Sequence, residues 1–201
     1  AAMSTVQLAG GVRVRLNSVS TLSYSVPRDG VQEVRLDGEG YFDVPHNPGR
    51  VFRVVTEMGT VTDVGTQFNI NARSGKVAVT VVDGAAELES AGEKVSVRAG
   101  QTSYALKGTA PVQPHEVNVG IALAWTEGRL VFRDEPLEKV AEAMTRRYGV
   151  PFSIDDELRD FKISAAMTAR ESGDAAAALC AAASARCVRV GSGWSIRGSA
   201  K

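Results

Sequence analysis

The sequence predicts a mainly β N-terminal domain of about ten short strands, built as a sandwich or an irregular β-stack, followed by a small α+β domain. Three observations support this prediction. Apolar and polar residues alternate with a two-residue period in the first half of the chain, and glycine-containing turn pairs separate the runs. A helical period replaces the alternation after Trp125. The predicted boundaries are residues 1–110 for the β domain, 111–124 for a linker and 125–201 for the α+β domain.

The β domain begins with a strand in which Val12, Val14 and Leu16 alternate with arginines, the pattern of a half-buried strand. The alternation recurs in four later segments, at Phe52/Val54, Phe68/Ile70, Val77/Val79/Val81 and Val95/Val97. Asp83-Gly84, between VAVTVV and AAELES, is the strongest hairpin signal. Four looser turn pairs are Asp29-Gly30, Asp37-Gly38, Ser74-Gly75 and Ala91-Gly92.

After the linker, where Pro111 and Pro114 break the alternation, the pattern becomes that of two βα units. A short strand ends at Phe132. The amphipathic helix that follows has Asp134 as its predicted N-cap, Gly149 at its end, and an apolar stripe of Leu137, Val140, Ala141, Met144 and Tyr148. Strands at 152–154 and 161–167, an alanine-rich helix over 173–185 and a hairpin around Gly191-Ser192-Gly193 complete the order βαβ, then βαββ.

The charge balance excludes several function classes. The chain has 23 basic and 23 acidic residues, and each half is balanced as well. Nucleic-acid-binding domains usually carry a basic excess, and polybasic membrane attachment needs one too, so neither is expected. The sequence shows no apolar run long enough for a membrane span, and its start does not have the pattern of a signal peptide.

The titratable residues give little support for catalysis. Neither His46, in the turn-like PHNPGR, nor His115 lies near a nucleophile or a cysteine, so both are interpreted as surface loop residues. No metal site and no cofactor is predicted. Glu39 and Asp43 could pair for acid–base work, but solvated charges on an exposed edge are the simpler interpretation. Four aromatic residues either line a ligand groove or, as their alternating positions favour, pack in the core: Trp125, Phe132, Phe161 and Trp194.

Two cysteines, Cys180 and Cys187, lie seven residues apart near the end of the chain. In an oxidising compartment they can form a disulfide. As free thiols they would be two small buried hydrophobic side chains. The sequence leaves both alternatives open.

Two segments resemble the periplasmic region of FecR/PupR-type transmembrane anti-sigma regulators. They are GEGYFDV over residues 38–44 and VGTQFNI over residues 64–70. Gly40 departs from the family pattern, which has alanine there, and should loosen that strand slightly. The resemblance implies a β domain of the FecR type.

A third segment, GRLVFRDEPLEKVAEAMTRRYGVPFSI over residues 128–154, is similar to the secretin/TonB short N-terminal (STN) domain. That domain consists of two βαβ-type units packed into a small sandwich. A W-x-x-G-x-L-x-F element marks the same junction in the family, here Trp125, Gly128, Leu130 and Phe132. Together the resemblances cover nearly the whole chain.

The resemblance implies signalling without enzymatic turnover or a small-molecule substrate. It implies the periplasmic portion of a single-pass inner-membrane protein that binds the N-terminal signalling domain of an outer-membrane TonB-dependent siderophore transducer. It further implies regulated cleavage by site-1 and site-2 type proteases. A cytoplasmic region outside this sequence would then release an extracytoplasmic-function sigma factor. The rival hypothesis is a cell-envelope module that binds a glycan or polymer and has no signalling role.

The resemblance also implies one chemical candidate. Some members of the family are cut at a Gly-Thr pair in this kind of position, so Gly65 and Thr66 are candidates for single-turnover self-cleavage. The hydroxyl would attack the preceding carbonyl, and water would then cleave the ester. The alternative is that Gly65 opens a turn or bulge before the strand at Phe68. Gly59-Thr60 and Gly108-Thr109 show that the pair alone is not specific.

The C-terminal hairpin is the predicted partner-binding edge, because no later element in the sequence can cover it. A partner strand added there would gain main-chain hydrogen bonds, and the alternating side chains would give specificity. The candidate residues are Val188, Val190, Trp194 and Ile196.

Overall fold

The protein is described by a computed structural model for residues 3–63 and 65–198. The chain divides into two compact units, Met3–Thr126 and a second that begins at Glu127. The first unit is mainly β, as the sequence predicts. Its strands are β1 (Ser4–Gln7), β2 (Arg13–Leu16), β3 (Thr21–Tyr24), β4 (Val31–Asp43), β5 (Val51–Val55), β6 (Thr60–Asp63), β7 (Gln67–Arg73), β8 (Lys76–Asp83), β9 (Ala85–Ser90), β10 (Glu93–Arg98), β11 (Gln101–Leu106) and β12 (His115–Glu116).

These strands form one curled sheet that branches at β4. One arm runs β1-β2-β4-β7-β8-β11-β12, and the other runs β3-β4-β5-β6-β9-β10. The first half of β4 pairs with β3 and, in parallel, with β5, and its second half pairs with β2 and β7. Gly38 lies at the change, with φ +111°, and a Cβ there would lie 2.8 Å from the Cα of Ser20. Only glycine fits this bend, which lets one strand serve both arms.

A single core fills the inside of the curl. Fully buried aromatic rings lie at its centre: Phe42 stacks on Phe68 with 5.2 Å between ring centroids, and Phe52 packs against Phe42 at 6.0 Å. Aliphatic side chains from both arms surround them, as the two-residue alternation predicts. They include Val14, Val54, Val61, Ile70, Val77, Val79, Val81 and Leu88.

Two of the looser turn pairs form hairpins, whereas the strongest hairpin signal in the sequence does not. Ser74-Gly75 and Ala91-Gly92 close two-residue hairpins, with positive φ at all four residues. The prediction of a hairpin at Asp83-Gly84 is wrong. Strand β8 pairs with β7 and β11, whereas β9 pairs with β6 and β10, so Gly84 turns the chain from one arm of the sheet to the other.

The segment predicted as a linker has short elements of its own. Strand β12 pairs with β11, with Thr102 opposite His115, and helix α1 spans Val119–Ala122. Trp125 is buried within the first unit. The proline-rich stretch therefore packs on the β unit in this structure.

The second unit has the element order that the sequence predicts: β13 (Leu130–Pro136), α2 (Leu137–Tyr148), β14 (Phe152–Ile154), β15 (Lys162–Met167), α3 (Ser172–Ala183), β16 (Arg186–Val190) and β17 (Gly193–Arg197). Strands β13 and β15 form one small sheet, and β14-β17-β16 form another. Its core contains Leu137, Val140, Met144, Leu179 and Ile196. Among the described residues, no helix has the length and apolar character needed to cross a membrane.

The start of α2 differs from the prediction. Asp134 does not cap the helix: it lies within β13 at a register irregularity, with φ +48°, and accepts a 2.7 Å hydrogen bond from Lys162 Nζ. The strand continues to Pro136, because β15 pairs with it that far. At the other end, Gly149 closes the helix in the left-handed conformation, as predicted.

Candidate functional site

The two family-like segments lie on neighbouring antiparallel strands. GEGYFDV ends β4, and VGTQFNI leads into β7, with Phe42 opposite Phe68 and Tyr41 opposite Asn69. Alternate residues of both segments face the core, which explains the stacked phenylalanines. The remaining residues face outward, and these form the polar part of the candidate site.

Glu39 is the centre of a buried polar network on that outer face. It accepts hydrogen bonds from Asn17 Nδ2 (2.8 Å, to Oε2) and Asn69 Nδ2 (3.1 Å, to Oε1). Trp125 Nε1 donates to Asn69 Oδ1 at 3.1 Å. We call Asn17, Glu39, Asn69 and Trp125 the Glu39 network. It joins residues from both family-like segments to the tryptophan at the end of the β unit.

The interpretation of Glu39 as a solvated edge charge is wrong, since only 9% of the residue is exposed. Strand β4 is flanked by other strands on both sides, so it is not an edge. Burial raises the pKa of Glu39, although the hydrogen bonds from Asn17 and Asn69 and the charge of Arg73 act in the opposite direction. The side chains of the network are two amides, one carboxyl and one indole, and the Glu39 N–H also donates to the Ser20 hydroxyl at 3.0 Å. These hydrogen bonds link β4, β7 and Trp125.

Asp43, the other half of the suggested acid–base pair, belongs to a different contact. Arg13 Nη2 donates to its Oδ2 at 2.7 Å, and Gln67 Nε2 donates to its Oδ1 at 3.3 Å. Asp43 is four residues from Glu39 but shares no partner with it. The two carboxylates therefore do not form a catalytic pair. Beside Asp43 lies an outer groove of about 510 Å³ lined by Thr5, Arg13, Arg15, Tyr41, Leu123 and Thr126.

Gly65 and Thr66 lie between β6 and β7 in a tightly constrained turn. Gly65 has φ +143°, and a Cβ there would lie 2.7 Å from both Cβ and Nδ1 of His46. The Gly65 N–H donates to the Asp63 carboxylate at 3.0 Å, and the Thr66 hydroxyl donates to the Ala85 carbonyl at 2.9 Å. The exposed His46 thus contacts the Gly-Thr pair, a proximity that the sequence analysis missed because His46 and Gly65 lie nineteen positions apart. No feature of the sequence around Gly65 indicates this contact, because it depends on how the segment after β4 folds back over the turn before β7.

The candidate partner-binding residues do not all lie at an edge. Trp194 and Ile196 belong to β17, which is the central strand between β14 and β16, and Ile196 is fully buried. Val188 and Val190 lie in β16, which is one of the two edge strands of this sheet, the other being β14. The hypothesis that the whole hairpin is open is therefore wrong for its second strand, because β14 pairs with it in parallel.

A disulfide fastens this edge strand to helix α3 of the same unit. Cys187 in β16 is joined to Cys180 in α3. Of the two alternatives that the sequence leaves open, the structure has the disulfide. It holds β16 against the helix, and among the described residues no strand pairs with the side of β16 that faces away from β17.

The aromatic residues suggested for a ligand groove do not come together. Trp125 belongs to the first unit and is buried in the Glu39 network. Phe132 and Trp194 are half-buried against the core of the second unit, whereas Phe161 is 48% exposed. His115 is exposed in β12. Within the described part of the chain, no three His, Cys, Asp or Glu side chains are grouped as they would be to hold a metal ion.

Comparisons with known proteins identify the family. The family model described as FecR protein matches residues 1–87, and the one described as FecR, C-terminal matches residues 129–175. Two crystal structures of a "putative anti-sigma factor" from Parabacteroides distasonis, at 2.50 Å and 1.65 Å resolution, share the fold. Each has a TM-score of 0.89 and 20% identity, and the matches cover 99% of this chain and 95% and 96% of the others. A search of curated proteins finds no match. Two family models of the FecR type match separate parts of the chain, its fold is shared with the two crystal structures, and the family-like segments pair on adjacent strands. The chain therefore belongs to the FecR family of signalling regulators.

Proposed function

We propose that this chain is the periplasmic signalling portion of a sigma regulator anchored in the inner membrane. In this proposal it binds the N-terminal signalling domain of an outer-membrane TonB-dependent siderophore transducer. Binding exposes the regulator to stepwise proteolysis, which releases an extracytoplasmic-function sigma factor. The second unit would act as the STN-like receiver of the signal. The Cys180–Cys187 disulfide supports an oxidising compartment such as the periplasm.

The observation that carries the proposal is the open edge of β16. Val190 and Gly193 flank a two-residue turn and pair with each other, so the main-chain groups of Arg189 point away from β17. A transducer strand added there would pair with these groups. Arg189 also lies over the Trp194 ring, 5.4 Å from its centroid, which would hold its side chain against the sheet face and leave the edge open.

The test is binding of the purified chain to the transducer signalling domain, measured by calorimetry. Arg189→Pro removes one outward N–H donor and should weaken binding at least tenfold. Ser96→Pro, on the edge strand β10 of the other unit, is the matched control, since its N–H also points outward by the same pairing argument. Equal binding by both variants would contradict the β16 site, and no binding by the wild type would contradict the transducer as partner.

A glycan-binding role is the second candidate function, because the outer groove holds Tyr41 beside Arg13 and Arg15. Arginine and tyrosine side chains can hydrogen-bond hydroxyl and carboxylate groups of an acidic sugar. An array of envelope glycans decides between the two: binding that Arg15→Ala abolishes, together with no transducer binding, would favour the glycan module.

We also propose that Gly65-Thr66 can be cut once in each molecule. The Thr66 Oγ would add to the Gly65 carbonyl carbon, the Gly65–Thr66 C–N bond would break, and the hydroxyl proton would go to the released amine. Water would then hydrolyse the ester to a Gly65 carboxylate and restore the Thr66 hydroxyl. The left-handed Gly65 and the adjacent His46 imidazole support this site.

Intact-mass spectrometry of freshly purified protein tests the cleavage. A fragment that begins at Thr66 is expected in the wild type and in Thr66→Ser, and absent in Thr66→Ala. Thr60→Ala, in the second Gly-Thr pair, should leave the fragment unchanged. Intact mass alone in the wild type would end the cleavage proposal without affecting the signalling one.

A further inference from the structure

The exposed edges of the β unit differ in how they are protected. Strands β3 and β10 are the two edges of one arm of the sheet. Strand β10 carries Glu93, Lys94 and Arg98, whose charges discourage another strand from pairing. Strand β3 lies within NSVSTLSYSVP, residues 17–27, a stretch without a single charged residue. One edge is therefore protected against strand addition, and the other is not.

The β3 edge also leaves apolar side chains uncovered. Leu22 lies opposite the buried Leu36 and packs on the core. Tyr24 is on the same face two residues later, opposite the buried Val34, yet it is 60% exposed, and Val26 is 79% exposed. The apolar inner face of the sheet thus extends to its outermost strand, β3, where no further described strand covers Tyr24. A further strand beside β3 would extend the core over these side chains.

The turn that leads into β3 is held in a fixed shape. Val19 has φ +53°, which a β-branched residue rarely adopts. The Arg73 guanidinium holds this turn, since it donates to the carbonyls of Ser18 (2.8 Å) and Val19 (3.2 Å) and to the hydroxyl of Ser20 (3.0 Å). The edge is therefore preorganised, which lowers the entropic cost of pairing.

We propose that β3 is a docking edge for a second copy of this chain, paired antiparallel about a two-fold axis at Ser23. The strand suits its own copy because it has no charges that would face each other. Pairing about Ser23 places Leu22 opposite Tyr24 of the second copy and Thr21 opposite Ser25. The aliphatic–aromatic pairs then lie on the inner face, where they extend the two cores, and the hydroxyl side chains lie on the outer face. This interface uses a different unit from the proposed β16 site and does not depend on it.

Sedimentation velocity on the full chain tests the proposal. An edge of this length gives a weak interface, so measurements should span about 10–500 µM protein. The wild type is expected to shift from monomer to dimer across that range. Ser23→Lys places like charges against each other at the axis and should keep the chain monomeric, whereas Ser96→Lys on β10 should dimerise like the wild type. A wild type that stays monomeric, or a Ser23→Lys variant that still dimerises, would overturn the proposal.

A cross-linking arm gives an answer that does not depend on how Ser23→Lys folds. Ser23→Cys puts a thiol on the two-fold axis, next to the same thiol of the second copy. Mild oxidation should yield a covalent dimer of Ser23→Cys, and Ser96→Cys should give at least tenfold less. Equal cross-linking of the two variants would contradict the Ser23 axis.

Discussion

The Glu39 network allows a sharp prediction for a change of one atom. Both amides around Glu39 have a fixed orientation: Asn17 Oδ1 accepts from the Ser18 N–H at 2.7 Å, and Asn69 Oδ1 accepts from Trp125 Nε1 at 3.1 Å. Their Nδ2 groups must therefore both point at Glu39, which needs two acceptor oxygens. In Glu39→Gln, an NH₂ group replaces one of those oxygens, and two donors face each other.

The magnitude follows from burial. Glu39 is 9% and Asn69 is 4% exposed, so water cannot readily compensate the orphaned donor. The expected loss in free energy of unfolding is about 1–3 kcal/mol, equivalent to roughly 3–10 °C in the melting temperature for a unit of this size.

Thermal unfolding followed by circular dichroism at pH 8 measures this loss. Glu33→Gln is the matched control, because Glu33 lies on the same strand but its side chain is 40% exposed, with Oε2 3.8 Å from Arg53 Nη1. That control should change stability by less than about 0.5 kcal/mol. If both variants melt alike, the two amides are not fixed as described and the reasoning is refuted.

Three further predictions concern the titration of Glu39, the bend at Gly38 and the disulfide. Burial raises the pKa of Glu39 above its ordinary value of 4.5, so the folded state binds that proton more readily than the unfolded chain. Stability from this group is therefore present at low pH and declines as pH rises from 4.5 through the folded pKa. Melting measured over this pH range should show a smaller dependence of stability on pH in Glu39→Gln than in the wild type. An unchanged dependence would assign it to other groups. Gly38→Ala should lower the unfolding free energy measured in urea by more than about 2 kcal/mol, because the new Cβ would meet Ser20. Gly92→Ala should lower it less, because a Cβ at Gly92 would have no atom within 4 Å. Equal losses would argue against the Gly38 bend. Reducing the Cys180–Cys187 disulfide, whose cysteines are seven positions apart, should destabilise the second unit by about 2–3 kcal/mol on the chain-entropy model. If a Cys180→Ser/Cys187→Ser variant unfolds like the oxidised wild type, packing alone holds β16.

The sequence predicted the element types better than their pairing. Alternation identified the buried faces of β2, β7 and β8, because a two-residue period depends only on which face meets the core. The hairpin prediction at Asp83-Gly84 failed for a physical reason. A glycine with positive φ suits a corner between two arms of a sheet as well as a tight hairpin, and only the position of distant strands decides between them.

The polar site was the least predictable part. Glu39, Asn69 and Trp125 are far apart in the sequence, and a carboxylate in a strand with many charged neighbours looks solvated. The sequence does not show that β4 is flanked on both sides or that Trp125 lies beside Asn69. The family-like segments contain both Glu39 and Asn69, and the hydrogen bonds of Asn69 with Glu39 and Trp125 show how the three residues are connected.

Strand β4 pairs with four other strands along its thirteen residues. Neither arm of the sheet can open from the other without breaking that strand's own ladder, so the unit should unfold as one cooperative block. Under the proteolysis proposed above, a cut within the paired strands of β4 would therefore require the full unfolding free energy of the β unit, and not only the local opening of one arm.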